Sequence, residues 1–121
     1  MDDAIRSALT HDRTIDLTTT GRRSGQPRTV EIWFLNVDGR LFITGTPGPR
    51  DWYANLLADP RLAFHLKESV RADLTGRAEP VLDEPTRRVV LTAAVAEWYR
   101  GQAPIDDLVA TAPMVEIFLD A

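Results

Sequence analysis

Thr18-Thr19-Thr20-Gly21-Arg22-Arg23-Ser24-Gly25-Gln26-Pro27-Arg28 gathers three guanidinium groups and a serine hydroxyl around two glycines, with no acid among them. Gly21 and Gly25 open backbone conformations closed to other residues, and Pro27 fixes the exit into an extended segment. Guanidinium forks match phosphate or carboxylate oxygens and a tight turn adds backbone N–H donors, so the stretch reads as an anion seat. The loop carries +3 in a chain of formal charge −4, so the other residues sum to −7. Solubility does not ask for such a loop. The plain alternative is a hairpin whose arginines are simply solvated. A nucleotide P-loop is excluded, because the glycines are too close together and no Gly-Lys-Ser/Thr follows.

Other chemistry is sparse. The chain has no cysteine, which excludes disulfides, thiol catalysis and Cys-ligated metals. Its two histidines belong to no Ser/His/Asp arrangement and no metal spacing. His65 shares a strand face with Lys67 and reads as a surface residue, and His11 lies in a polar lead. A pI of about 5.1 argues against nucleic acid as a partner. No stretch resembles a signal peptide or a membrane span, so the expected location is cytoplasmic.

The elements that must position the loop follow from periodicity. At 121 residues the chain makes one domain, with residues 1–13 a polar arm or short helix. Ile15 to Thr20, rich in β-branched residues, predicts a first strand. Thr29 to Val37 predicts a second, with Val30, Ile32 and Phe34 on one face and Trp33 and Leu35 on the other. Asp38-Gly39 is a hairpin signal leading into Leu41 to Thr46. After the Gly/Pro-rich loop at 44–51, Asp51 is a candidate N-cap for a helix that Asp59-Pro60 stops. Leu62 to Leu66 and Val70 to Glu79 alternate as two further strands. Asp83-Glu84-Pro85 opens a long helix to about Arg100, residues 105–110 make at most a short helix, and Val115 to Leu119 closes as a strand. Six mostly antiparallel strands with peripheral helices suit a small β-barrel.

Two of these pieces, Thr18 to Arg28 and Trp52-Tyr53-Ala54-Asn55-Leu56 followed by Asp59-Pro60, together with Asp38-Gly39 between them, closely resemble the deazaflavin-dependent nitroreductase family. The resemblance is strong over residues 15–67 and rests on strand order elsewhere. It implies a split β-barrel of the flavin-binding, pyridoxamine-phosphate-oxidase-like kind that binds coenzyme F420. It further implies that the cofactor's phosphate and glutamate tail lies along Arg22, Arg23, Ser24, Gly25 and Arg28. The deazaflavin ring is expected near Thr44, Gly45 and Thr46, with Trp52 and Asn55 completing the site. Trp52 as a core residue and Asn55 as a surface amide are the plain alternatives. The chain departs from the family at Pro47-Gly48-Pro49, where a Lys or small polar residue is common, and Arg50 is the candidate to replace that cation. Some relatives carry a longer amphipathic N-terminal helix associated with membranes or a substrate lid. The short arm here argues against a membrane role.

A reduced deazaflavin donates a hydride, so the protein has to orient the donor, exclude water and stabilise charge on the acceptor. Tyr53, Tyr99 and Thr46 are the candidates to protonate or position a product. The expected reaction reduces an electron-poor small molecule, such as a quinone, nitroaromatic or enone. The same barrel with FMN, or a non-catalytic cofactor carrier or sensor, are the alternatives. A split barrel leaves apolar surface, and Trp33 with Leu35 suggests a face that a homodimer would bury.

Overall fold

The computed structural model describes residues 1–120. Its elements in chain order are α1 (Asp3–His11), β1 (Thr14–Thr20), β2 (Pro27–Trp33), β3 (Leu35–Val37), β4 (Arg40–Thr44) and α2 (Asp51–Ala58). There follow β5 (Arg61–Leu66), β6 (Ala72–Pro80), α3 (Glu84–Thr92), α4 (Glu97–Arg100), α5 (Ile105–Thr111) and β7 (Met114–Leu119). The strands form one antiparallel sheet in the order β2-β1-β5-β6-β7-β4-β3. Its two edge strands are consecutive in the chain, so the sheet curls into a split barrel whose edges come together at Phe34.

The strand count is seven rather than the expected six. The second strand breaks at Phe34, whose ring packs 5.2 Å from Phe64 in the barrel and whose N–H donates to the Arg13 carbonyl instead of to the strand ladder. Asp38 and Gly39 both take positive φ (53° and 85°), the conformation an Asp-Gly hairpin requires.

Burial divides the sheet. Ile15, Leu17, Leu41, Ile43, Phe64, Leu66 and Ile117 fill the barrel, closed by Trp52 and Leu56 from α2 and by Ala8 and Leu9 from α1. The other face of β3, β4 and β7 sends Leu35, Phe42 and Met114 into a second core beneath α3, α4 and α5. β4 is therefore apolar on both faces. The Trp33 and Leu35 face is consumed inside this second core region: Leu35 is fully buried there, and Trp33 lies edge-on to Trp98 at 5.4 Å with the Arg13 guanidinium 4.3 Å over its ring.

The expected single helix from Asp83 to Arg100 is interrupted. Ala93 is extended (ψ 152°), a 3₁₀ turn covers Ala94–Ala96, and α4 then starts afresh. Thr92 turns its hydroxyl back onto the Arg88 carbonyl, a bond that competes with helix continuation, and Arg100 Nη1 satisfies the freed carbonyls of Leu91 and Ala93 at 2.8 and 2.7 Å. No helix is long and apolar enough to cross a membrane among the described residues.

Candidate functional site

The loop between β1 and β2 holds its shape through its own bonds. Gly21 N–H donates to Gln26 O and Gly25 N–H to Gly21 O, both at 2.8 Å, and Gly25 takes a φ of +69°. Ser24 folds over Gly21 so closely that a Cβ there would lie 2.6 Å from Oγ. That oxygen accepts from Gln26 N at 3.1 Å and Arg28 Nη2 at 3.4 Å, which leaves the hydroxyl proton to donate elsewhere.

The helix α2 packs against this loop through Trp52, Asn55 and Leu56, which lie on one helical face and are buried. Asn55, only 3% exposed, accepts through Oδ1 from the Arg22 backbone N–H at 3.1 Å and from Arg22 Nη1 at 2.9 Å, and donates through Nδ2 to Thr19 Oγ1 at 3.2 Å. Asp51 does not cap the helix as expected. Arg50 occupies the N-cap position without a side-chain bond, and Asp51 instead pairs with Arg22 Nη2 at 3.3 Å.

The result is a cleft of about 360 Å³. Arg22, Arg23, Arg28 and Ser24 line one side, Asp51, Trp52 and Asn55 another, and Thr29 and Val30 of β2 the remainder. Arg23 makes no hydrogen bond or ion pair among the described residues. One carboxylate faces three guanidinium groups, so the cleft fits an anion with several negative charges, and Val30 with the edge of Trp52 supplies an apolar wall. A polyanionic cofactor tail meets this donor set well.

The structure thus brings together Arg22, Arg23, Ser24, Arg28, Trp52 and Asn55, with Gly25 shaping the loop beside them. It places the other candidates elsewhere. Thr44 is buried and donates its hydroxyl to Pro113 O at 2.7 Å. Arg50 Nη2 donates to the carbonyl and hydroxyl oxygens of Thr46 at 3.0 and 2.8 Å, and Arg50 lies over Gly45, where a Cβ would sit 3.5 Å from Nε. Arg50 and Tyr53 line a second cleft of about 480 Å³ with Gly48, Pro113 and Arg87. The two clefts flank the first turn of α2. Tyr99 lines neither; it is 4% exposed in the second core, 5.2 Å from Trp98, where burial pushes its phenol up.

Sequence reasoning missed Asp51, Thr19, Thr29 and Val30 as lining residues, and also Arg87. The Arg87 guanidinium is buried without a carboxylate partner and donates to the carbonyls of Val81, Leu108, Val109 and Ala112, closing the end of α5. Desolvation pulls its pKa down. Its place in α3 reads as an ordinary helix-surface arginine, so no local signal marks it.

Comparison with known proteins adds the family. The fold matches the structure of a protein of the pyridoxinephosphate oxidase family from Clostridium acetobutylicum, related to general stress protein 26 (TM-score 0.69, 16% identity, 97% of this chain and 79% of that one). It also matches a conserved hypothetical protein of Mycobacterium tuberculosis (TM-score 0.72, 24% identity, 100% and 82%) and an F420 reductase (TM-score 0.69, 21% identity, 96% and 93%). At these identities the likeness concerns the split-barrel fold alone. The sequence itself is matched over residues 4–104 by the model of the F420H(2)-dependent quinone reductases, a span that contains the arginine loop, α2 and all the residues that line the first cleft. The chain therefore belongs to the F420H(2)-dependent quinone reductase family, with coenzyme F420 as its cofactor.

Proposed function

We propose that the protein transfers a hydride from reduced coenzyme F420 to an electron-poor small molecule of the quinone, nitroaromatic or enone type. The observation that carries this reading is the convergence of Arg22, Arg23, Arg28 and Ser24 on one cleft beside Trp52. In it, the three guanidinium groups hold the cofactor's phosphate and glutamate tail, and the Ser24 hydroxyl adds a donor. When bound, the reduced deazaflavin supplies the hydride.

The protein's own share is orientation and charge. Arg50 keeps the β4 exit in place by binding Thr46 and the Pro49 carbonyl, and packs over Gly45 together with Pro113. Reduction of a quinone places negative charge on its oxygen. The Tyr53 phenol and the Arg50 guanidinium, both on the second cleft, are the groups assigned to meet that oxygen, and the Thr46 hydroxyl, which accepts from Arg50, keeps its proton available. Tyr99 has no part in this assignment because it reaches neither cleft. A homodimer belongs to the same reading, and a monomeric mass in light scattering at micromolar concentration would overturn that part.

The test is a tryptophan-fluorescence titration with F420 and, in parallel, FMN, in the natural chain and in Trp52→Phe. Quenching by F420 at micromolar concentration, diminished in Trp52→Phe, followed by oxidation of reduced F420 on adding a soluble quinone, is the expected outcome. Tight FMN binding with no response to F420 would move the site to ordinary flavin chemistry. Binding without turnover of any acceptor would favour a carrier or sensor.

A further inference from the structure

We infer that Asn55 is a positioning residue that acts on the ligand only through Arg22, setting the guanidinium of the anion seat before any ligand arrives. This rests on the cofactor site proposed above and assigns one of its residues a different role. The arginine loop projects from a sheet edge, and a free arginine there would lose several rotatable bonds' worth of freedom on binding. Asn55 removes that freedom. Its single carbonyl oxygen receives both the backbone N–H and the Nη1 of Arg22, so one acceptor fixes the main chain and the side-chain tip together.

The orientation of the amide is set by chemistry. Arg22 offers only donors at these two atoms, so the atom facing it must be the oxygen, and the amino group must point to Thr19, whose hydroxyl can accept. Both ends of the amide are thereby committed to the protein, and the residue is 3% exposed. What it leaves open is Arg22: two of the five guanidinium N–H donors go to Asn55 and Asp51, and the rest remain for an anion. Thr19 in β1, Asn55 in α2 and Arg22 in the loop thus form one chain of hydrogen bonds from the barrel wall to the cleft.

A double-mutant cycle on F420 affinity tests this. Arg22→Ala and Asn55→Ala are each expected to weaken binding about tenfold, and the double variant little more than tenfold, because the guanidinium that Asn55 holds is then gone and only its bond to the residue-22 backbone N–H is left to lose. Losses that multiply to about a hundredfold would overturn the inference, as would natural affinity in Asn55→Ala. A merely structural contribution of Asn55 would persist in the Arg22→Ala background and is read there directly, alongside the melting temperature of each variant. A natural chain that binds no F420 overturns the cofactor site and the positioning role together, whereas natural binding with an additive cycle overturns the positioning role alone.

Discussion

Arg22, Arg23 and Arg28 differ in what already engages them, and their variants should differ accordingly. Arg22 is shared between Asn55 and Asp51, Arg28 leans on Ser24, and Arg23 is uncommitted. A tail with several charges uses all three, so Arg28→Ala is expected to weaken F420 binding about as much as Arg22→Ala, each by roughly tenfold or more, the magnitude of a charge-assisted hydrogen bond. Equilibrium titration checks this, and an Arg28→Ala variant that binds normally would point to a single-phosphate ligand. Asp51 is well exposed, so its pull on Arg22 is screened; Asp51→Asn should tighten F420 binding only a few-fold, and most at low salt. The arginines were legible because residue type and local spacing carry the chemistry. Their partners were not, because the bonds to Asn55 and Asp51 span about thirty residues and exist only once α2 docks on the loop.

At the scale of elements, the sequence announced what depends on local chemistry and hid what depends on docking. Asp38-Gly39 imposed its turn, and the alternation in β1, β5 and β6 was plain. The break after Thr92 was hidden, since Ala93, Ala94 and Ala96 are good helix formers and the interruption is held by Arg100 from beyond it. Gly76 tests the β6 to β7 pairing: a Cβ there would overlap the Phe118 carbonyl, so Gly76→Ala should destabilise the fold by about 1–3 kcal/mol in urea unfolding, the cost of overpacking a close approach. Arg87→Leu should also be costly, because it strips a shared donor from four carbonyls; Arg87→Lys should rescue little, since an ammonium lacks the planar fork.

The molecule as a whole should resist neutral pH changes and weaken in acid. Glu68 ties the turn after β5 to the start of β1 by accepting the N–H groups of Thr14 and Arg13, which hold its carboxyl below the usual range. The Arg61 guanidinium and backbone hold Asp59 at about 2, and Thr86 at the start of α3 lowers Asp83. A carboxylate depressed in the folded state stabilises it fully above the unfolded pKa and loses that contribution as pH falls towards the folded one. Urea midpoints should therefore be level near neutrality and fall from about pH 4.5 towards pH 2, and Glu68→Gln should make that fall shallower. The overall barrel was legible at this scale; the place of its last strand was not. β7 lies outside the matched family span, and alternation alone gives a strand no neighbours. Those neighbours are β6 on one side and β4 on the other, so the seventh strand in chain order is an inner stave of the barrel. Without residues 114–119 the sheet would fall into two separate pieces, β2-β1-β5-β6 and β4-β3, so the pairing of that one strand is what closes the cylinder.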